Sequence, residues 1–333
     1  MTSDERAKYE GLKAEVDLRF DEPMSAHTTF RIGGPADVWV EAQDRESLAR
    51  VVVFCSNAGI PWWVLGRGSN VLVSDQGLRG VVIHLGGEFC EISVHGERLA
   101  AGGAALLDDI AEACVAAGLC GAEFLAGIPG TVGGGLGTNA GAFGRSFSDV
   151  VERVTVMDEK GELAELSGDE LSSEYRRPVV KRGLVAVHVL FRLKPGKAES
   201  LAEIRARRQA RQPAGFSAGS FFRNPIRSGT KPQMDTDEHG SSSEPGHRSS
   251  VGVNRRTSAV TSGIRVPAGQ LIDECGLKGR AVGRAQVSER HANFIVNTGG
   301  ARFCEVYELV QLVKANVEEQ TGIVLEEEVQ VLA

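Results

Sequence analysis

The sequence has few of the features that mark metal-binding, disulfide-rich or nucleic-acid-binding proteins. Its 333 residues include six cysteines, with no C-x-x-C pair and no histidines at zinc-ligand spacing. We therefore predict neither a metal site nor a disulfide framework, and we expect most of the cysteines to be small buried apolar residues. The net charge of −7 argues against a general nucleic-acid-binding surface.

Long hydrophobic runs are missing as well. The longest apolar stretches, residues 51–55 and 184–190, are far shorter than a membrane span. Residues 1–22 are charged throughout, so no basic segment followed by an apolar one opens the sequence. We therefore expect a cytoplasmic protein without a membrane or nucleic-acid partner. The length suggests two or three domains.

A glycine-rich stretch at residues 124–144 is the most informative feature that is present. Seven glycines fall between Gly127 and Gly141, and apolar residues such as Val132 and Leu136 alternate with them. A flexible linker would carry serine, threonine and charge instead. Glycine lets main-chain N–H groups approach a ligand, and successive N–H groups form a concavity that binds anions. The stretch therefore predicts a phosphate or diphosphate site, with a tight buried turn as the alternative.

A second glycine loop, residues 66–70, lies between two predicted strands. Its Gly66-x-Gly68 pattern lacks a third glycine and leads into a strand instead of a helix, so a Rossmann fold is not predicted. The bare amides and the side chains of Ser69 and Asn70 suit a phosphate or a ribose. An ordinary turn is the alternative.

Hydrophobic periodicity predicts the main elements of the fold. Helices are expected over residues 45–57, 106–117, 200–211 and 301–319. Strands are expected over residues 36–41, 62–65, 71–73, 81–85, 91–94, 151–158, 162–166, 184–193, 293–297 and 323–332. Residues 228–262 are rich in serine, glycine and charge, which predicts a disordered or mobile insertion.

Nine short motifs together resemble one enzyme family. They are TTFRIGGPA (28–36), LGRGSNVLVSD (65–75), GIPGTVGG (127–134), NAGAFG (139–144), Tyr175-Arg176, AGSFFRNP (218–225), AGQLID (268–273), HANFIVN (291–297) and LEEEV (325–329). In number, order and spacing they are similar to those of the bacterial UDP-N-acetylenolpyruvoylglucosamine reductases, the MurB family of peptidoglycan precursor synthesis.

The resemblance implies an α+β fold with two functional regions. Residues 23–196 would form a two-part FAD-binding region of the vanillyl-alcohol-oxidase (PCMH) type, divided near residues 80–90 and preceded by a helix or arm at 1–22. Residues 197–322 would form a separate α+β substrate-binding domain, and residues 323–333 a strand returning to the active site. In this family NADPH reduces FAD, and hydride then passes from flavin N5 to the enolpyruvyl β-carbon. A proton goes to the α-carbon.

The resemblance also implies which residues contact FAD. Its diphosphate would lie over the two glycine segments. The expected FAD-binding residues are Gly66, Arg67, Gly68, Ser69, Asn70, Ile128, Pro129, Gly130, Gly133, Gly134, Asn139, Ala140 and Gly141.

Three residues match the family's catalytic positions. Arg176 would bind the substrate carboxylate, Ser220 would donate the proton, and Glu328 would stabilise the enolate. An ionised carboxylate beside a dianionic intermediate would repel it, so we predict that Glu328 is protonated in the working complex, its pKa raised by burial and neighbouring charge. Strand alternation places Glu326 on the same face as Glu328 and Glu327 on the other.

Substrate contacts are expected from Tyr175, Arg208, Arg211 and Asn224. The family usually has a serine two residues after the arginine, whereas this chain continues with Arg177-Pro178, so either Arg176 or Arg177 could serve. Residues 180–184 are too short for the tyrosine loop that closes over UDP in one subtype, so the chain resembles the shorter subtype. A monomer is expected. The rival functions are a flavin-dependent oxidase acting on another small molecule and an inactive nucleotide-binding protein.

Overall fold

The structure is a computed structural model that describes residues 1–13, 16–180, 183–228 and 263–333. Residues 229–262 of the predicted insertion lie outside the described residues. The helices are α1 Ser3–Ala7, α2 Glu10–Lys13, α3 Arg45–Ala58, α4 Leu107–Ala116, α5 Val132–Thr138, α6 Leu201–Gln209, α7 Ala268–Glu274 and α8 Phe303–Thr321.

The strands are short and numerous. They are β1 Leu18–Pro23, β2 Pro35–Ala42, β3 Trp62–Val64, β4 Val71–Val73, β5 Leu78–Leu85, β6 Ile92–His95, β7 Arg98–Gly102, β8 Leu119–Cys120, β9 Gly141–Ala142, β10 Arg145–Ser146, β11 Val151–Met157, β12 Leu163–Ser167, β13 Val185–Arg192, β14 Lys194–Pro195, β15 Ile226–Ser228, β16 Gly263–Arg265, β17 Ala281–Val282, β18 Ala285–Val287, β19 Ile295–Asn297 and β20 Gln330–Leu332.

The N-terminal sheet has the order β1-β2-β5-β3, with β2, β5 and β3 parallel and β1 antiparallel at the edge. Helix α3 covers it, begins at a capping box on Asp44 and ends at Gly59, whose φ of +62° suits the residue that closes a helix. The sequence missed β1, because its charged residues hide the alternation, as is common on edge strands.

The central sheet is antiparallel, in the order β12-β11-β13-β7-β6. Its inner face packs against α4 and α5 in a core that contains Phe147 and Phe191, whose rings meet edge to face. The glycine stretch therefore lies on the buried face of this sheet, where α5 begins.

The C-terminal part consists of the small sheet β17-β18-β19 with α7 and α8. Its core includes Phe30, Ile32 and Leu72 from the N-terminal half of the chain. Strand β20 pairs in parallel with β4, and the Asp75 carboxylate accepts hydrogen bonds from the first amides of α8, those of Phe303 (2.8 Å) and Cys304 (3.3 Å). The two halves of the chain are therefore interlocked.

Two sequence predictions are wrong in part. The last strand covers only Gln330–Leu332 instead of residues 323–332, because this segment changes partner: the amide of Glu328 donates to Phe221, whereas that of Gln330 donates to Asn70. Most cysteines are not buried. Only Cys55 and Cys114 are, where burial raises the thiol pKa to about 12 and about 11. Among the described residues, no helix is long and apolar enough to cross a membrane.

Candidate active site

A cavity of about 630 Å³ is lined by residues from all three parts of the fold. This volume is typical of small-molecule sites. The sequence-predicted residues that line it are Gly66, Arg67, Gly68, Ser69, Asn70, Ile128, Pro129, Gly130, Gly133, Gly134, Ala140, Gly141, Tyr175, Arg176, Arg208, Ser220, Asn224 and Glu328. Two predicted residues, Asn139 and Arg211, do not line the cavity.

The loop at residues 66–70 presents free main-chain donors to this cavity. None of its five amides donates a hydrogen bond to an acceptor in the part of the chain that the structure describes. Gly68 has a φ of +60°, and a Cβ there would lie 2.1 Å from the carbonyl oxygen of His27. Any other residue would therefore displace the loop.

The sequence left open whether the glycine stretch is a phosphate site or a tight buried turn. In the structure it contains both packing glycines and cavity-lining glycines. Gly135 is a packing glycine, because a Cβ would lie 2.6 Å from the Phe147 ring. Gly137 lines the cavity, and no described atom comes within 4 Å of the position of its Cβ. The stretch also meets the first loop, since a Cβ on Gly66 would lie 2.5 Å from Thr131 Oγ1.

These two segments fit the diphosphate of a dinucleotide. Unused amides beside a glycine surface that a Cβ would fill are the donor set that phosphate oxygens need. Thr131 supports the arrangement, because its hydroxyl caps α5 by accepting from Gly134 N at 3.3 Å. The sequence analysis missed Thr131, although a threonine directly before a helical segment is an N-cap signal.

Ser220 and Glu328 lie close because their chain segments pair through one residue. The amide of Phe221 donates to the Asn293 carbonyl at 2.7 Å, and the amide of Glu328 donates to the Phe221 carbonyl at 2.8 Å. Phe221 and Phe222 are buried and fix this extended segment in the core of the C-terminal part. The position of the serine is thus fixed by the two main-chain bonds of the residue that follows it.

Arg176 lies between the glycine stretch and Glu328. Its Nη2 donates to the Gly141 carbonyl at 2.9 Å, and its Nε is 3.2 Å from Glu328 Oε1. The Nε contact is an ion pair without hydrogen-bond alignment, so this buried N–H has no hydrogen-bond partner among the described residues. The guanidinium is anchored but keeps a donor for an incoming carboxylate.

Burial raises the pKa of Glu328, whose side chain is 15% exposed, and the charges of Arg176 and Arg223 oppose this effect. The direction is the one that the sequence analysis predicted. A raised pKa favours the protonated form of the carboxyl group, which can donate a hydrogen bond.

The neighbouring acids contact other partners. Glu326 is 65% exposed and pairs with Arg177 (3.7 Å) and Arg223 (3.3 Å), whereas Glu327 pairs with Lys314 on α8 (2.8 Å). Of the three acids in this segment, only Glu328 lines the cavity. Arg177 contacts an exposed carboxylate outside the cavity, which leaves Arg176 as the arginine at the site.

The two arginines predicted to contact substrate have different positions: Arg208 lines the cavity and Arg211 does not. Arg208 is half-buried on the cavity wall, where Nε donates to the Ala126 carbonyl and Nη2 to the Phe124 carbonyl, both at 3.2 Å. Burial and the nearby charge of Arg176 lower its pKa. Arg211 lies outside the cavity on an exposed surface.

Asn139 has a different environment from the other predicted FAD residues. Its side-chain amide donates to Ser148 Oγ and to the Glu174 carbonyl, and its carbonyl oxygen accepts from the Ser148 amide. The side chain is therefore occupied in holding the turn that ends α5. Its assignment to FAD stays a prediction.

Two protein-family models match the chain. Residues 36–167 match one described as "FAD binding domain", and residues 211–332 match one described as "UDP-N-acetylenolpyruvoylglucosamine reductase, C-terminal domain". The chain is 42% identical over 317 residues to the UDP-N-acetylenolpyruvoylglucosamine reductase of Heliobacterium modesticaldum, covering 93% of this chain and 89% of that protein. It is 39% identical over 323 residues to that of Syntrophus aciditrophicus, covering 94% and 91%.

A solved structure is similar over nearly the whole chain. It is the crystal structure of UDP-N-acetylenolpyruvylglucosamine reductase (MurB) from Thermus caldophilus, with a TM-score of 0.71 and 33% identity, covering 96% of this chain and 99% of that chain. The predicted α+β fold, with an FAD-binding region and a separate C-terminal region, is confirmed.

Proposed function

Because the chain belongs to the UDP-N-acetylenolpyruvoylglucosamine reductase family, we propose that it reduces UDP-N-acetylenolpyruvoylglucosamine to UDP-N-acetylmuramate for peptidoglycan synthesis, with FAD as cofactor and NADPH as electron source. The observation that carries the proposal is that Arg176, Ser220 and Glu328, far apart in sequence, line one cavity with the two glycine segments. We further propose that it acts as a cytoplasmic monomer.

The two glycine segments would hold the FAD diphosphate through the free amides of residues 66–70 and the glycine surface around Gly137. When bound, the flavin supplies the hydride that adds to the enolpyruvyl β-carbon. Loss of flavin from the protein would leave the remaining residues without a reductant.

Hydride addition leaves negative charge on the α-carbon, delocalised into the adjacent carboxylate. Arg176 binds that carboxylate with a guanidinium fixed by the Gly141 carbonyl, and protonated Glu328 donates a hydrogen bond to the developing enolate. Ser220 transfers its hydroxyl proton to the α-carbon. An alkyl hydroxyl is a weak acid, but a carbanion is a much stronger base, so the transfer is favourable.

The test follows the flavin spectrum. The purified holoprotein should be yellow, should bleach with NADPH in the absence of air, and should recover its oxidised spectrum when the enolpyruvyl UDP-sugar is added. Recovery by air with no response to the UDP-sugar would select the oxidase alternative. A protein that binds FAD or the UDP-sugar without any bleaching would be the inactive binding protein.

A further inference from the structure

A cationic and aromatic cluster at the cavity rim includes Arg265, a residue to which the sequence analysis gave no role. It consists of Tyr175 and Asn224, which both line the cavity, and of Arg265 on β16, which contacts both. The Arg265 guanidinium lies 4.0 Å from the centroid of the Tyr175 ring. Its Nη1 donates to the Asn224 carbonyl oxygen at 2.9 Å. The planar guanidinium is therefore positioned by a ring and by a main-chain oxygen.

The charge of Arg265 is not paired with a carboxylate in the part of the chain that the structure describes. No carboxylate lies within 4.0 Å of it in the described ranges 1–13, 16–180, 183–228 and 263–333, whereas the neighbouring Arg177 and Arg223 share Glu326. Arg265 is also exposed. A guanidinium has five N–H donors in a fixed plane that match phosphate oxygens, and stacking on an aromatic ring reduces the entropy lost when it binds them.

The position of the cluster suits the nucleotide end of the substrate. Tyr175 directly precedes Arg176, which pairs with Glu328 at the reacting end. The enolpyruvyl group and the diphosphate are carried by one sugar ring, so a substrate bound by its carboxylate at Arg176 has its diphosphate a few bonds away. The sequence of residues 180–184 is too short to contain the closing loop of the other family subtype.

We propose that Arg265, seated on the Tyr175 ring, binds the diphosphate of the UDP-sugar and takes the place of a clamping loop. The inference rests on the proposed function, because that function supplies the nucleoside diphosphate. It adds a binding residue outside the shared motifs, on a hairpin where strand pairing places Ile226 opposite Arg265.

The test measures binding of UDP to the FAD-loaded protein by calorimetry. We expect Arg265→Ala to weaken UDP binding by about 10- to 100-fold, the loss of one charge-assisted hydrogen bond or two. Arg265→Lys keeps the charge but not the planar fork. Its affinity for UDP should lie between those of the wild type and Arg265→Ala. Uridine lacks phosphates and should bind the wild type and Arg265→Ala with equal affinity.

Arg227→Ala is the matched control. Arg227 is exposed on the same hairpin but is paired with Ile264, which places it on the opposite face from Arg265. The Arg227→Ala variant should bind UDP with the same affinity as the wild type. In steady-state turnover, Arg265→Ala should raise KM for the UDP-sugar far more than it lowers kcat, and NADPH should bleach the flavin at the normal rate.

Two results would overturn the inference: UDP affinity within twofold of the wild type in Arg265→Ala, or an equal loss in Arg227→Ala. These outcomes are distinct from failure of the proposed function. A wild-type protein that binds UDP but never oxidises NADPH with the UDP-sugar would contradict the reductase assignment, while the UDP titrations would still decide the role of Arg265.

Discussion

At the scale of single residues, the hydroxyl of Ser220 is expected to act in only one of the two half-reactions. We expect Ser220→Ala to leave flavin reduction by NADPH near the normal rate and to slow reoxidation by the UDP-sugar by about 10²- to 10⁴-fold, because only the second step needs a proton at the α-carbon. Stopped-flow absorbance measures both rates. Ser217→Ala, a change in a serine that also lines the cavity, is the control. An equal loss in both half-reactions would remove Ser220 from its role.

Glu328 tests whether a donor is needed at the enolate. Glu328→Gln keeps an N–H donor of similar size, so we expect it to reoxidise flavin faster than Glu328→Ala, with both slower than the wild type. Glu327→Gln, which loses only the contact to Lys314, should be near normal. If the glutamine variant is no faster than the alanine variant, the protonated acid is not required.

Replacing Arg223 should change the pH dependence of reoxidation in a defined direction. Its charge lowers the pKa of Glu328, so Arg223→Gln should raise that pKa further and keep the acid protonated to higher pH. The alkaline limb of the reoxidation rate should therefore move to higher pH. Arg177→Gln, which removes a partner of the exposed Glu326 only, should leave the profile in place. A shift to lower pH in Arg223→Gln would contradict the assignment of that limb to Glu328.

At the scale of elements, Glu152 on β11 joins three strands of the central sheet. It accepts from Arg98 on β7 and from Arg192 on β13, and these hydrogen bonds lower its pKa from 4.5 to about 2. A lowered pKa contributes stability above the unfolded value, and this stability is lost as the pH falls from 4.5 towards 2. We expect Glu152→Gln to lower Tm by about 1–3 °C at pH 7 and to have a much smaller effect at pH 2.

The control for Glu152 is Glu165→Gln, which breaks one exposed pair with Arg153. Its effect on Tm at pH 7 should be smaller. Calorimetry at both pH values measures the two differences, and a Tm difference for Glu152→Gln that is undiminished at pH 2 would show that the effect is not electrostatic.

Asp75 links the N-terminal half of the chain to helix α8. Because its carboxylate satisfies two amides at the start of that helix, we expect Asp75→Ala to cost about 1 kcal/mol of unfolding free energy. Asp75→Asn, which keeps one acceptor, should cost less. Urea unfolding measures both, and equal stability of the alanine variant and the wild type would contradict the capping role.

The elements also show what sequence patterns could predict. Helix α3 was predicted almost to the residue, because its apolar stripe and terminal Gly59 are local signals. Strand β20 was predicted too long, because residues 325–330 change partner from Phe221 to Asn70, a fact that only tertiary contacts determine. The cavity-lining position of Ser220 came from a motif, whereas that of Arg265 depends on contacts that join distant segments.

At the scale of the whole molecule, the cavity depends on all three parts of the fold, so its ligand should stabilise the entire chain. We expect FAD added to flavin-free protein to raise Tm, and riboflavin, which lacks the diphosphate, to raise it much less, because the free amides of residues 66–70 would have no phosphate to bind. Differential scanning fluorimetry compares the two ligands. Equal shifts would show that the isoalloxazine alone accounts for binding.

The pairing of β4 with β20 also affects how the protein folds during its synthesis. Asn70 and Glu328, joined by a side-chain hydrogen bond, are 258 positions apart. At ~5–20 residues per second, a ribosome needs tens of seconds to make the intervening chain. During that time the nascent polypeptide holds β4 without its parallel neighbour, and its apolar residues Val71, Leu72 and Val73 are candidates for chaperone capture.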